Sequence, residues 1–173
     1  MGREEFSSFF NENIGKVFRF VYLRVDSAET AQDISSLVFL KFWQKLSLRG
    51  VRQLADDAAI SNPTAYLFKI ARNALTDYYR QRGRRIVSLE SLKEFGFDFP
   101  SADFSGKIEI TFEMERIKKA LQNVKPVYAD VIIWHYVDDL PIKEIAGILE
   151  KREGTVRILL HRALKALREQ LNP

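Results

Sequence analysis

Apolar residues recur at three- and four-residue steps along most of the chain, the period of a helix with one buried face. The first run is Phe6, Phe10, Ile14, Val17, Phe18, Val21 and Val25, and it predicts a helix that stops near Asp26-Ser27. Either of those side chains can cap the helix that follows. That second helix is expected over about residues 28–46, with a wide apolar arc of Ile34, Leu37, Val38, Phe39, Leu40, Phe42 and Trp43. An arc so wide belongs to the centre of a bundle or to a docking surface. Residues 47–61 read as a loop with a short helix around 53–59. Asn62-Pro63 then opens a third helix with proline in its favoured first turn. Tyr66, Leu67, Ile70, Ala71, Ala74, Leu75 and Tyr78 line its inner face.

The helical period lapses over residues 88–112, where two glycines, a proline and several serines fall. Between Glu90 and Glu115 there are seven acids and only Lys93 and Lys107 as bases, so this stretch reads as an acidic linker. Phe95, Phe97, Phe99 and Phe104 argue that it docks on a surface rather than hanging in solvent, because solvated tethers are poor in aromatics. Period returns with Ile117, Ala120, Leu121 and Val124, is broken at Pro126, and resumes through Tyr128, Val131 and Ile132 to Val137. After Pro141, a short helix carries Ile142, Ile145, Ala146 and Leu149, and a longer one carries Val156, Leu159, Leu160, Ala163, Leu164, Leu167 and Leu171. A short helix, a brief connection at 150–154 and a longer basic helix make a helix-turn-helix unit.

Composition narrows the chemistry. The 173 residues contain no cysteine, which removes a disulfide scaffold, a thiolate zinc site and a cysteine nucleophile. The two histidines, His135 and His161, fall on different helices without metal-ligand spacing, and no Gly-rich phosphate loop is present. The expectation is a non-enzymatic chain that needs no cofactor. Its densest apolar patches, Leu37–Leu40 and Val131–Trp134, are far short of a membrane span. The acidic start Met1-Gly2-Arg3-Glu4-Glu5-Phe6 lacks a signal-peptide apolar region, so a cytoplasmic protein that is not membrane-embedded is expected.

Charge is the more informative axis. The net charge is +4, yet residues 69–85 hold six bases against Asp77 and residues 151–168 hold six bases against Glu153. Each window nets +5, so the remainder carries −6. Two basic clusters in an otherwise acidic chain suggest two contacts with one polyanion. In a helix-turn-helix the second helix enters the major groove with its exposed N-terminal residues on base edges. With Val156, Leu159, Leu160 and Ala163 turned inward, the outward positions are Thr155, Arg157, Ile158, His161, Arg162 and Lys165. Arg157 and Arg162 are the candidate guanine readers, while Lys165 and Arg168 suit phosphates. Thr155 near the helix start is placed to cap it or to meet a phosphate.

The order of these segments resembles a family. Glu144-Ile145-Ala146, Gly154-Thr155-Val156-Arg157 and His161-Arg162-Ala163-Leu164-Lys165-Ala166-Leu167-Arg168 resemble region 4.2 of bacterial extracytoplasmic-function (group IV) sigma factors. Ala31-Gln32-Asp33-Ile34 and Val38-Phe39-Leu40-Lys41-Phe42-Trp43 resemble region 2.2, and Ala65-Tyr66-Leu67-Phe68-Lys69-Ile70-Ala71-Arg72-Asn73 with Asp77-Tyr78-Tyr79-Arg80 resembles regions 2.3 and 2.4. The resemblance implies an all-α protein of two small helical domains, region 2 at 1–86 and region 4 at 112–173, joined by an acidic linker at 87–111. It implies a dissociable specificity subunit that binds the largest and second-largest subunits of core RNA polymerase. Region 2 opens the −10 promoter element, region 4 reads the −35 element, and an anti-sigma factor is the expected inhibitor.

By position, the resemblance carries the −10 contacts onto Lys69, Arg72, Asn73, Asp77, Arg80 and Arg82, with Asn73 at the pocket for a flipped base. It carries the polymerase contacts onto Asp33, Leu37, Leu40, Lys41 and Trp43. The chain departs from the family where Ser36 and Leu37 replace a glutamine and an acid on the polymerase-facing surface, and where Ile158-Leu159 replaces Ser-Arg in region 4.2. Ile158 faces outward in this register and can touch a thymine methyl. The competing readings are a stand-alone helix-turn-helix regulator and a sigma-like adaptor that does not initiate.

Overall fold

In the computed structural model the described residues are 3–51, 62–80 and 112–172. The linker, the short helix expected at 53–59 and Arg82 lie outside them. The N-terminal half holds α1 (Arg3–Tyr22), α2 (Ala28–Val51) and α3 (Pro63–Arg80). The C-terminal half holds α4 (Phe112–Asn123), α5 (Pro126–Ile132), α6 (Ile142–Leu149) and α7 (Glu153–Leu171). A π-turn at Ile133–Val137 extends α5.

Local chemistry sets most of the boundaries. Ser27 Oγ accepts the Thr30 N–H at 3.1 Å and caps α2. Asn62 Oδ1 accepts the Ala65 N–H at 2.9 Å and caps α3 ahead of Pro63, which opens the helix as expected. Pro126 starts α5 because its missing N–H is one that no helix start can satisfy. The α2 helix runs further than expected, to Val51, so residues 47–51 are helical rather than loop.

Aromatic side chains dominate the N-terminal bundle. Phe9 stacks on Phe42 at 5.0 Å, and Phe10 meets Phe39 edge-on at 4.6 Å. Such contacts add about 0.5–1.5 kcal/mol each beyond the area they bury. In the C-terminal half, Ile145, Ile148 and Leu149 of α6 face Val156, Leu160 and Ala163 of α7, all buried. Glu150 ends α6 in the left-handed region, φ 54°, and the Lys151 N–H closes onto the Ala146 carbonyl at 2.9 Å. That turn aims α7 across α6.

The halves do not stand apart. Their buried apolar residues form one continuous cluster. At the junction, Trp134 of the π-turn stacks on Phe20 of α1 at 5.2 Å and meets Phe68 of α3 edge-on at 5.6 Å. All three rings are fully buried. Lys118 of α4 lies over the Tyr22 ring, 4.0 Å from its centroid, and Gln122 donates to the Val25 carbonyl at 3.1 Å.

Candidate nucleic-acid interface

Helix α7 presents the outward face that the periodicity predicted. Thr155, Arg157, Ile158, His161, Arg162 and Lys165 are all exposed, while Val156, Leu160 and Ala163 form the floor beneath them. Ile158 is 55% exposed, a large apolar side chain left in water at the middle of the basic face. Arg157 reaches back to Glu153 at 3.2 Å, an exposed i,i+4 pair that a phosphate or a base edge can displace at little cost. Thr155 does not cap the helix. Arg152 holds the cap position with no side-chain bond, and Thr155 uses its N–H on the Arg152 carbonyl at 2.9 Å.

Helix α3 tells a different story. Lys69, Asn73 and Arg80 are exposed; Arg72 and Asn73 lie one turn after Lys69, and Arg80 two turns further on. Asp77 pairs with Arg80 at 3.3 Å within that helix. Lys69 Nζ, however, donates to Glu150 of the C-terminal half at 2.6 Å, and Arg72 Nε donates to Asp130 of α5 at 2.8 Å. Asp130 is 2% exposed, and its other oxygen accepts a short bond from the guanidinium of Arg24, itself buried. Arg24 is held in turn by the Phe20 and Tyr79 rings, and Tyr79 donates its hydroxyl to the Arg24 carbonyl. Tyr79 is therefore tied to this network.

A second bridge joins Arg19 of α1 to Asp138, just after the π-turn, at 2.7 Å. Burial holds the Asp138 carboxyl above the usual carboxylate range, and Arg19 only partly offsets it. Lys69 lowers the Glu150 carboxyl through its hydrogen bond and charge. Asp130, Asp138 and Glu150 were not singled out from the sequence. The available signal was Asp130 itself, an acid inside the apolar run Ala129 to Trp134, where a charge needs a partner.

The polymerase set is split by burial. Lys41 is exposed, Asp33 and Leu37 are half-buried, and Trp43 is half-buried with its ring 4.6 Å from Phe6. Burial, with Glu29 nearby, raises the Asp33 carboxyl. Leu40 is 6% exposed and so cannot form the docking surface expected of it. Ser36 is also buried rather than outward, with no partner for its hydroxyl among the described residues. The reason is common to both: α2 is apolar around most of its circumference and is enclosed on those sides.

Family models match in the expected order. Sigma-70 region 2 matches residues 9–85, and Sigma-70, region 4 matches residues 114–167. BldN of Streptomyces coelicolor, an extracytoplasmic-function RNA polymerase sigma factor, is 23% identical over 166 residues, covering 95% of this chain and 59% of BldN. The chain thus spans somewhat more than half the length of that relative. SigW of Bacillus subtilis, of the same description, is 22% identical over 163 residues, covering 90% of this chain and 83% of SigW. The sigma factor RpoE of Bartonella quintana, solved in complex with the anti-sigma factor NepR, shares the fold with a TM-score of 0.65 at 21% identity over 97% of each chain. A region 2 bundle followed by a region 4 helix-turn-helix, over spans that these relatives share, makes this chain a member of the extracytoplasmic-function group of sigma-70 factors.

Proposed function

We propose that the chain is a non-enzymatic specificity subunit that directs core RNA polymerase to particular promoters, with α3 engaging the −10 element and α7 the −35 element. The observation that carries this reading is the face of α7, basic and exposed over a packed apolar floor in a helix-turn-helix. Arg157 and Arg162 read guanine edges there, Ile158 supplies an apolar contact for a thymine methyl, and Thr155, His161 and Lys165 flank them. On α3, the exposed Asn73 amide can both donate and accept on the edge of an unstacked base. Lys69, Arg72, Arg80 and Arg82 balance strand phosphates, and Asp77 orients Arg80. The domains divide as region 2 at 1–86 and region 4 at 112–173, with the linker between them.

Polymerase contact falls to the outer side of α2, through Asp33, Leu37, Lys41 and Trp43, with Leu40 behind them. An anti-sigma factor is the expected inhibitor, since the structural relative RpoE is held by one. Among the described residues no helix is long and apolar enough to cross a membrane. Run-off transcription on genomic fragments, with core polymerase from the source organism, tests the proposal. Discrete transcripts that depend on the protein are expected. Tight binding of duplex DNA without polymerase and without transcripts would mark a stand-alone regulator, and core binding alone would mark an adaptor.

A further inference from the structure

Two cations placed on the −10 strand by the reading above are occupied by acids from the other half of the same chain. Arg72 donates to Asp130 at 2.8 Å and Lys69 to Glu150 at 2.6 Å. Neither acid lies near its partner in sequence, since 58 residues separate the first pair and 81 the second. The seam beside them is closed by Trp134 packed against both Phe20 and Phe68. The α7 face, by contrast, looks into solvent along its length.

We propose that this closed packing is an autoinhibitory latch in which Asp130 and Glu150 take the places of strand phosphates on Arg72 and Lys69. The inference rests on α3 being the −10 contact. Carboxylate and phosphate each offer anionic oxygens that accept from the same guanidinium or ammonium N–H groups, so they compete for one side chain. An acid delivered from within the chain competes at a fixed, high effective concentration. Single-stranded DNA therefore meets Lys69 and Arg72 only after the C-terminal half has moved off α3. Duplex DNA can meet α7 in either state. The latch closes one DNA face and leaves the other open, so a −35 contact can form first.

The test uses the full chain and a fluorescein-labelled, mixed-sequence single-stranded 20-mer at low salt, with a duplex of the same length as control. Asp130→Asn/Glu150→Gln is expected to bind the single strand at least about tenfold tighter than the unsubstituted protein, with the duplex changed far less. Adding Arg72→Ala should remove the larger part of the gain and leave only the smaller part that the freed Lys69 supplies. Asp139→Asn/Glu12→Gln removes two acids outside the latch and corrects for net charge. A gain there equal to the latch variant's would overturn the proposal. If Arg72→Ala weakens the unsubstituted protein but removing the acids brings no gain, the latch fails and the −10 reading stands. If Arg72→Ala changes nothing in either background, the −10 reading fails. Should Asp130→Asn cost helical circular dichroism, Glu150→Gln alone acts at an exposed pair and should still give a smaller gain. Carbodiimide coupling supplies a second readout. A Lys69–Glu150 cross-linked peptide should form in the free protein and fade as single strand is added, and its persistence at saturating DNA would overturn the latch.

Discussion

Helices α3 and α7 carry similar charge to opposite ends. On α7 the bases stand in water above an apolar floor, and Arg157 pairs only with Glu153 of its own helix, at 3.2 Å among the described residues. On α3 the bases face the C-terminal half, where Asp130 and Glu150 neutralise two of them. For Arg72 the difference is one of burial, whereas Lys69–Glu150 differs from the α7 pair only in joining the two halves. An exposed pair such as Arg157–Glu153 contributes about 0–1 kcal/mol and yields to any better ligand. The Arg24–Asp130–Arg72 triad is largely withdrawn from water, so removing Asp130 leaves two guanidiniums without their shared acid, and removing either arginine leaves one Asp130 oxygen unpaired. A basic helix is thus not automatically an available one.

The seam is the sharpest place to break this contrast. Trp134→Ala should destabilise the protein by about 3–5 kcal/mol, read by chemical denaturation, because it empties the space that the indole fills beside Phe20 and Phe68. Ile158→Ala, on the exposed face, should move the same midpoint by under about 0.5 kcal/mol. Next in size, Arg157→Ala and Arg162→Ala should each weaken −35 duplex recognition by about 1–3 kcal/mol with stability unchanged. Unaltered sequence preference in both would refute the register of α7. Arg72→Ala should do the reverse in part, costing about 1–3 kcal/mol of stability through Asp130 as well as −10 contact. Asn73→Ala should slow open-complex formation more than it weakens first binding, and a normal opening rate would refute its place at the base pocket.

The smallest expected effect is on pH dependence. The Asp138 carboxyl lies above its unfolded value, because burial outweighs Arg19. Its contribution is therefore full in acid, below the unfolded value of about 3.9, and is lost as pH rises through the raised folded value. Asp138→Asn should flatten that part of the stability profile. Glu150 has the opposite sign, since Lys69 lowers it. Its contribution holds at neutral pH and is lost as pH falls through the lowered value, so Glu150→Gln should soften the acid limb slightly.

The helices were legible because the apolar period, Ser27, Asn62-Pro63, Pro126 and Pro141 are local signals. The α7 face was legible for the same reason: one helix on a partner of fixed side leaves its other positions outward. The side of α2 that the bundle leaves outward was not. Leu37, Leu40 and Trp43 share an apolar arc, and sequence has no means of telling which part of it a bundle will cover. Phe20 hinted at more, as a buried apolar residue of α1 outside its main stripe. It records a second packing partner for that helix, since its ring meets Phe68 and Trp134.

From sequence alone came the all-α class, the helix-turn-helix, the two basic clusters and the family's order of motifs. Each depends on neighbours within a few turns of helix, where spacing dictates facing. The tertiary structure alone decided that the two halves share a core, that Arg24 and Arg72 converge on Asp130, and that Lys69 meets Glu150. Those partners lie 58 to 106 residues apart. A charge in a sequence declares its need for a counter-ion, and only the folded path of the chain chooses which one arrives.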